Sequence, residues 1–411
     1  MERVYGAISD VLSIIARSSF EWSNEHLSKK ILLGEKIMNK LWGLLAVSLV
    51  FAFVIQYRDK HIHMLNRNSN SGDKLFTLLL ILYLGIFCGL RIRYNDTTTY
   101  IHIFEQTPSV EEIFELNTLS FAQGIGFSIL NSVMKSLKFS SQDFLMFYAI
   151  VTAFCYVRFV RKHAVNFPFA VFLMFSTGFY TFSFAAIKQC MATAICLLGL
   201  EYLLHRKTPI FILFVGVASL FHPYALIYLL LVFADYRPFT GKTYVHIAVF
   251  VILGFSLGRF IEPIVDITAM MGASYDMTSF VGEGVNIFRV LVCFVPLFLS
   301  VLYSRKLFGQ TTRTDNILFN MSMLNALIMF VGLFGTANYF ARLANYFLPA
   351  QVVVLPWILK KIGGRDGQIL TLLCIIGFAG YFMYGNMVQH VFDEKFAQIT
   401  FWNYIASHFG A

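Results

Sequence analysis

Leu75-Phe76-Thr77-Leu78-Leu79-Leu80-Ile81-Leu82-Tyr83-Leu84-Gly85-Ile86-Phe87-Cys88-Gly89 runs directly into Leu90-Arg91-Ile92-Arg93-Tyr94-Asn95-Asp96-Thr97-Thr98-Thr99-Tyr100. A 15-residue uncharged stretch gives way to two arginines, an aspartate and three threonines. A chain leaving a bilayer often ends in such a basic-aromatic anchor, which makes an interfacial collar one reading. The other is a polar cluster at a membrane surface. There Arg would hold an anionic ligand, while Asp and Thr bind its hydroxyls. The rest of the chain is ordered by which residues share a side with this cluster.

Composition narrows the class. The 411 residues are 57% hydrophobic and 13% charged, with mean hydropathy +0.67. Soluble domains carry about 25% charged residues. The composition therefore predicts an all-α, polytopic transmembrane helix bundle and excludes a soluble fold. The net charge of +9 needs no nucleic acid, because basic cytoplasmic loops produce it. All six cysteines lie in apolar runs and read as small buried residues, not as a disulfide framework or metal site. No cleavable signal peptide is expected: Val4–Ala16 is broken by Ser9-Asp10 and lacks a basic start.

Residues 1–40 form an expected amphipathic arm, with Val4, Ile8, Val11, Leu12 and Ile15 at helical spacing. Residues 41–384 form the membrane domain and 385–411 a tail. About twelve spans are predicted: Leu41–Tyr57, Leu75–Leu90, Phe144–Val160, Phe167–Ile187, Gln189–Leu204, Pro209–Phe221, Tyr224–Phe233, Tyr244–Ile261, Ile287–Tyr303, Ile317–Gly335, Tyr346–Leu359 and Ile369–Tyr384. Pro209–Phe221 and Tyr224–Phe233 fall short of the ~20 residues a span needs. They read as a broken pair meeting at Phe221-His222-Pro223. Residues 101–120 are acidic and suit a water-exposed helix over the mouth of the protein. Phe121–Leu137 carries Gln123, Asn131 and Lys135 and reads as re-entrant or interfacial, since unpaired polar groups are costly in hydrocarbon.

Charge sets the orientation. Arg58–Lys74, Arg161-Lys162, Arg206-Lys207, Arg237–Lys242, Arg305–Arg313 and Lys360–Arg365 together hold sixteen Lys/Arg. Arg91, Arg93, Lys135, Lys138, Lys188, Arg342 and Lys395 are the seven opposite. The richer side is expected to be cytoplasmic. Only the arm, with six Lys/Arg placed outside, runs against this. Arg91, Asp96, Lys188, His222 and Arg342 then converge at the extracytoplasmic helix ends from five distant stretches.

Each of these groups has two readings. Lys188, between two apolar runs, is a snorkelling lysine or a cation at a helix start facing an anion. His222 is a structural hydrogen-bonding residue, or a proton acceptor at a helix break beside cations, which would depress its basicity. It has no second metal ligand at a suitable spacing. Thr336–Tyr346, with Asn338, Tyr339, Arg342, Asn345 and Tyr346, resembles the lining of a sugar site, although an aromatic belt also explains its tyrosines. Arg289 and Arg259 lie in or near apolar runs, where charges are usually functional. Glu262–Asn286 is a candidate lid or a solvated loop. No Walker loop, Rossmann fingerprint or Asp-x-Asp pair is present, and Gly124-Ile125-Gly126 alone is too weak to count.

Gly89-Leu90-Arg91 with Asp96 and Tyr100, the Ile187–Leu204 helix, and Phe221-His222-Pro223-Tyr224-Ala225-Leu226-Ile227 together resemble the EpsG-type family of Wzy-like polysaccharide polymerases. The Arg342 and Tyr346 segment resembles that family's late Arg-plus-Tyr element. Three departures stand out. Asn95 replaces a glycine, Lys188 an arginine, and Gln123 lies near an expected Glu-Gly-Phe element. The resemblance implies a bacterial inner-membrane glycosyltransferase of O-antigen, capsule or exopolysaccharide biosynthesis. It would transfer glycan from a polyprenyl (undecaprenyl) diphosphate donor to a lipid-linked repeat unit on the outer face. No cofactor or metal would be required. A chain-length regulator and a flippase would be its protein partners, and nucleic acid would not be one. Candidate catalytic residues are His222, Asp96, Arg91 and Arg342. Substrate contacts are expected from Arg93, Tyr100, Lys188, Gln189, Arg289, Asn338, Tyr339, Asn345 and Tyr346. The rival readings are a flippase of lipid-linked sugars, which would bind with the same cations and need no base, and a membrane O-acyltransferase using His222.

Overall fold

The computed structural model describes residues 40–60, 71–115, 119–257, 259, 263, 266, 270, 284–335, 337–385 and 396–409. The expected N-terminal arm, apart from Lys40, and most of the Arg58–Lys74 link and the Glu262–Asn286 loop lie outside the described residues. The architecture is helical. In chain order it consists of α1 (Lys40–Lys60), α2 (Ser71–Gly89), strand β1 (Arg91–Arg93), α3 (Thr97–Glu105), α4 (Val110–Glu115), α5 (Ile125–Ser136), α6 (Ser141–His163), α7 (Phe167–Ser176) and α8 (Ile187–Leu204). There follow α9 (Thr208–Phe221), a 3-10 helix (Pro223–Phe233), α10 (Gly241–Phe255), α11 (Ile287–Leu302), α12 (Ser304–Phe308), α13 (Arg313–Val331), α14 (Ala337–Asn345), α15 (Leu348–Ile362), α16 (Gly364–Tyr384), strand β2 (Ala397–Gln398) and α17 (Phe401–Phe409).

An apolar helix stands at each of the twelve predicted segments. By length and composition, five of them can cross a membrane: α1, α6, α8, α13 and α16. Together α14 and α15 make a sixth, bent by 55°. The remaining six are apolar helices of 10–17 residues, α2 being counted from Lys74.

Local chemistry sets the helix ends. Ser140 and Asp143 form a reciprocal cap on α6, and Thr312 and Asp315 do the same on α13. Arg161, Lys162 and His163 fill the last turn of α6, where cations complement the helix dipole. The predicted Phe167–Ile187 span is corrected. It stops at Ser176, turns through Gly178 (φ 82°) and a 3-10 turn at Thr181–Phe184, and restarts as α8. One local and one tertiary bond hold the break: Thr177 donates through Oγ1 to Leu173 O (2.6 Å), and Tyr180 reaches out of the turn to donate to Leu84 O of α2 (2.7 Å).

α13 is the pillar, with 78% of its apolar window buried against α8, α10, α11, α14 and α15. α16 is peripheral, at 22%. α2 lies along α6, and Gly85 and Gly89 make the close approach possible. A Cβ on either would stand 2.8 Å from Ile150 or 2.6 Å from Met146, the small-xxx-small packing of membrane helices. The broken helices are held by amide side chains. Asn325 of α13 donates to Ala344 O (2.7 Å), and Gln189 of α8 to Arg342 O (2.6 Å), both at the end of α14. Asn320 donates to Ala234 O and Tyr236 O (2.8 and 2.9 Å) just past the 3-10 helix. Helix-end carbonyls have no intrahelical donor and no water inside a bilayer, so these amides replace both.

Candidate active site

The polar motif is a turn built from within. Arg91 is 1% exposed. Its Nη1 donates to Cys88 O (2.6 Å) and its Nε to Thr97 Oγ1 (3.1 Å); Thr97 in turn donates to Tyr94 O (2.6 Å). This relay closes the chain between the end of α2 and the start of α3. Asn95 sits at the apex with φ 43°, in the left-handed region where glycine is free and asparagine is tolerated. The Asn95-for-Gly departure thus keeps the backbone shape. Gln142 of α6 holds the strand below by donating to Gly89 O and to Arg91 O.

The C-terminal segment straps this turn from outside. β2 pairs antiparallel with β1, Ile399 N donates to Leu90 O (3.0 Å), and Gln398 Nε2 to Phe87 O (2.7 Å). Phe396 packs edge-on against Tyr94 and Phe184. α17 is fixed at its far end, where Tyr404 donates to Asp143 (2.7 Å) and His408 Nε2 lies 2.8 Å from the same carboxylate.

Beside the turn opens a half-open cavity of about 320 Å³. Its walls are the Tyr94–Asp96 turn, the Phe175–Phe182 turn, Arg289 of α11, Arg342 and Asn345 of α14, and Tyr381 and Phe382 of α16. Asp96 and Arg342 face each other at 3.9 Å, 49% and 41% exposed. Arg289 Nη2 donates to Asn345 Oδ1 (3.2 Å). Two guanidinium groups, one carboxylate and two amides thus meet across aromatic walls.

A second cluster adjoins the first through Arg342, whose charge reaches both His222 and Tyr100. Lys188 donates to Gln123 O (2.8 Å) and lies 4.7 Å over the Phe127 ring; its charge also reaches His222. The Tyr100 hydroxyl is pushed up to about 12 by burial, with Asp96 adding to the rise, so it stays protonated. His222 Nδ1 is 2.8 Å from the Tyr346 hydroxyl, and Tyr346 is fully buried. Gly124 docks α5 on this break. Its φ is 84°, and a Cβ there would come 2.5 Å from Phe221 O.

The sequence-derived residues therefore fall into separate groups. Asp96, Arg289, Arg342 and Asn345 line the cavity. Tyr100, Lys188, His222 and Tyr346 form the adjoining cluster. Arg91 and Gln189 lie buried behind these groups, holding the turn and the α14 end. Arg93 is exposed on β1, and Tyr339 packs edge-on against Tyr224 at 5.2 Å. Asn338 lies in α14, with its side chain outside the described residues. Sequence reasoning missed Tyr94, Thr177, Tyr381 and Phe382 as cavity walls. Tyr381 and Phe382 end an apolar run, where an aromatic anchor is the ordinary expectation. Among the described residues, no three His, Cys, Asp or Glu side chains gather at a spacing suited to a metal.

A family model, that of the EpsG family, matches residues 74–405. The chain belongs to the EpsG family. No curated protein and no solved structure matches it. EpsG is a Wzy-like, polymerase-type family, which makes this chain a polysaccharide-polymerase-like, multi-pass membrane protein. The matched EpsG region includes the Gly89–Tyr100 turn, both clusters, the strap strand β2 and the first part of α17.

Proposed function

We propose that this EpsG-family protein extends a polysaccharide on the extracytoplasmic face of a bacterial inner membrane, taking glycan from a polyprenyl-diphosphate donor and adding it to a lipid-linked repeat unit. The observation that carries the reading is the meeting of Arg289, Arg342 and Asp96, from three distant stretches, in one aromatic-walled cavity within the family-matched region. A diphosphate leaving group develops charge as its bond to the sugar breaks. Fixed cations aimed at the developing charge stabilise it without reorganising. Arg289 and Arg342 serve as those cations, and Lys188 extends the positive field. Tyr94, Tyr381 and Phe382 offer ring faces and edges to sugars. Arg91 acts indirectly, by holding the turn that presents Asp96.

The acceptor hydroxyl gives its proton to Asp96, the carboxylate on the cavity wall. The new glycosidic C–O bond forms while the C–O bond to the diphosphate breaks, and the electron pair leaves with the diphosphate. Asp96 then returns its proton to water. His222 and Asp96 are both candidates for the proton acceptor; we assign the role to Asp96, a reading supported by its place on the cavity wall, while His222 Nδ1 faces Tyr346. In this reading all twelve apolar segments lie at membrane depth, α5 stays at the surface, and the cavity opens outward by the charge asymmetry. Lipid-linked oligosaccharides from cells with and without the protein test the proposal. A polymerase yields a ladder of chain lengths that disappears with the gene. A flippase changes the sidedness of single repeat units and makes no ladder.

A further inference from the structure

The His222–Tyr346 pair carries a consequence for how substrate is held. Tyr346 is fully buried, and its hydroxyl must donate somewhere. Among the described residues, its one hydrogen-bond partner is His222 Nδ1, at 2.8 Å. A neutral imidazole has one donor nitrogen and one acceptor nitrogen. If Nδ1 carried the proton, it would donate to the Tyr346 oxygen and leave the phenolic hydrogen buried without an acceptor. The arrangement that satisfies both groups has Tyr346 donating to a bare Nδ1, with the ring proton on Nε2. No other hydrogen bond of the described residues reaches this ring, so Nε2–H remains available to a ligand.

The position of the ring fits that role. His222 lies at the break between α9 and the 3-10 helix, with Tyr224 edge-on to it at 5.1 Å. Lys188 and Arg342, the charged groups of this cluster, are both cations. We infer that Tyr346 fixes His222 as the Nε2–H tautomer, and that His222 is a neutral hydrogen-bond donor to an anionic oxygen of the lipid-linked substrate, a further donor beside the cations. Tyr346 is then a positioning residue, acting through the imidazole. A neutral imidazole donor is chemically reasonable, since it adds directionality without adding a third positive charge to the cluster. The inference deepens the transferase reading and rests on it for the identity of the ligand; the tautomer itself stands independently.

Two measurements separate these parts. The first is NMR of the purified protein in lipid nanodiscs, with histidine labelled at the ring nitrogens and His222 assigned by its loss in His222→Gln. The expected result is a single tautomer, protonated at Nε2, that becomes a mixture in Tyr346→Phe. A proton on Nδ1 in the unsubstituted protein overturns the inference, whatever the activity. The second is transfer by the variants. The amide of Gln places an N–H close to the position of Nε2 and cannot accept a proton as a base. His222→Gln should keep transfer within about tenfold, while His222→Leu loses about 10²–10³-fold, the loss of one fixed donor. A His222→Gln as inactive as His222→Leu, with the protein folded, overturns the donor role. If the unsubstituted protein makes no ladder, the polymerase reading fails, and the NMR result still decides the tautomer.

Discussion

Arg91 and Arg342 look alike in the sequence, two arginines at the same level of the bundle, but the structure gives them opposite energetic characters. Arg342 is 41% exposed and its ion pair with Asp96 is 3.9 Å long. A pair of that exposure contributes roughly 0–1 kcal/mol to stability. Arg342→Gln should therefore leave the melting temperature within a degree or two. As a fixed donor to a developing diphosphate charge, however, it is worth about 3–4 kcal/mol in the transition state, or 10²–10³ in rate. Arg91 is 1% exposed, and among the described residues its guanidinium bonds to Cys88 and Thr97, within its own turn. Arg91→Met leaves the buried Cys88 carbonyl without its donor, about 1–3 kcal/mol, and removes a charge-assisted hydrogen bond to Thr97, about 1.5–3 kcal/mol, although the Thr97 hydroxyl keeps its bond to Tyr94 O; the loss is partly offset because a charge no longer has to be buried. A net loss of about 2–4 kcal/mol follows, felt first where the Tyr94–Asp96 turn meets the cavity. The assay pairs thermal unfolding in nanodiscs with glycan transfer per folded molecule. Arg342→Gln should melt normally and transfer poorly. Arg91→Met should melt early, with activity falling in step with the folded fraction. An Arg91→Met that melts normally yet transfers nothing would refute the division of roles, as would an Arg342→Gln that unfolds.

Three further outcomes follow from the same geometry. Asn95→Gly should be neutral or slightly stabilising in unfolding assays, because φ 43° suits glycine, whereas Asn95→Val should lose about 1–2 kcal/mol and displace Asp96. The hydrogen bond to Tyr404 O, followed by that to Asp143, raises His408 above its ordinary value, so its contribution to holding the strap is complete below about pH 6.5 and fades as pH rises through the raised value. Protease accessibility of Phe401–Phe409 should therefore increase with pH, and His408→Asn should remove that dependence. A cysteine placed at Ser109, between α3 and α4, should react with an impermeant thiol reagent on intact cells; labelling only after permeabilisation would invert the topology.

The sequence carried the positions of the helices well, because apolar length and capping are local. The break at His222-Pro223 is read from adjacent residues, and the Ser140/Asp143 and Thr312/Asp315 caps, which the structure shows, each span only a few residues. The arrangement of the site was less legible, since the same residue types build and line it. Nothing in Gly89-Leu90-Arg91 tells an inward arginine from an outward one; the bond from Arg91 to Thr97 decides it. The amides Asn320, Asn325, Gln189 and Gln351 are isolated polar residues in apolar runs, and their carbonyl partners lie 19 to 153 residues away. The strap was invisible for the same reason, because Gln398 and Phe87 are 311 residues apart. The cavity walls at Phe175–Phe182 and Tyr381–Phe382 are aromatic with a few hydroxyls, inside or at the end of apolar runs in sequence, and become a site only when α7 stops early and α16 ends beside it.

The measurement that bears most directly on the central claim uses purified protein in liposomes, supplied with lipid-linked repeat units extracted from cells lacking the gene. The polymerase account predicts a ladder of lengthening lipid-linked chains with release of polyprenyl diphosphate, reduced about 10²–10³-fold in Arg342→Gln. Repeat units that remain single in the presence of folded, unsubstituted protein would contradict it.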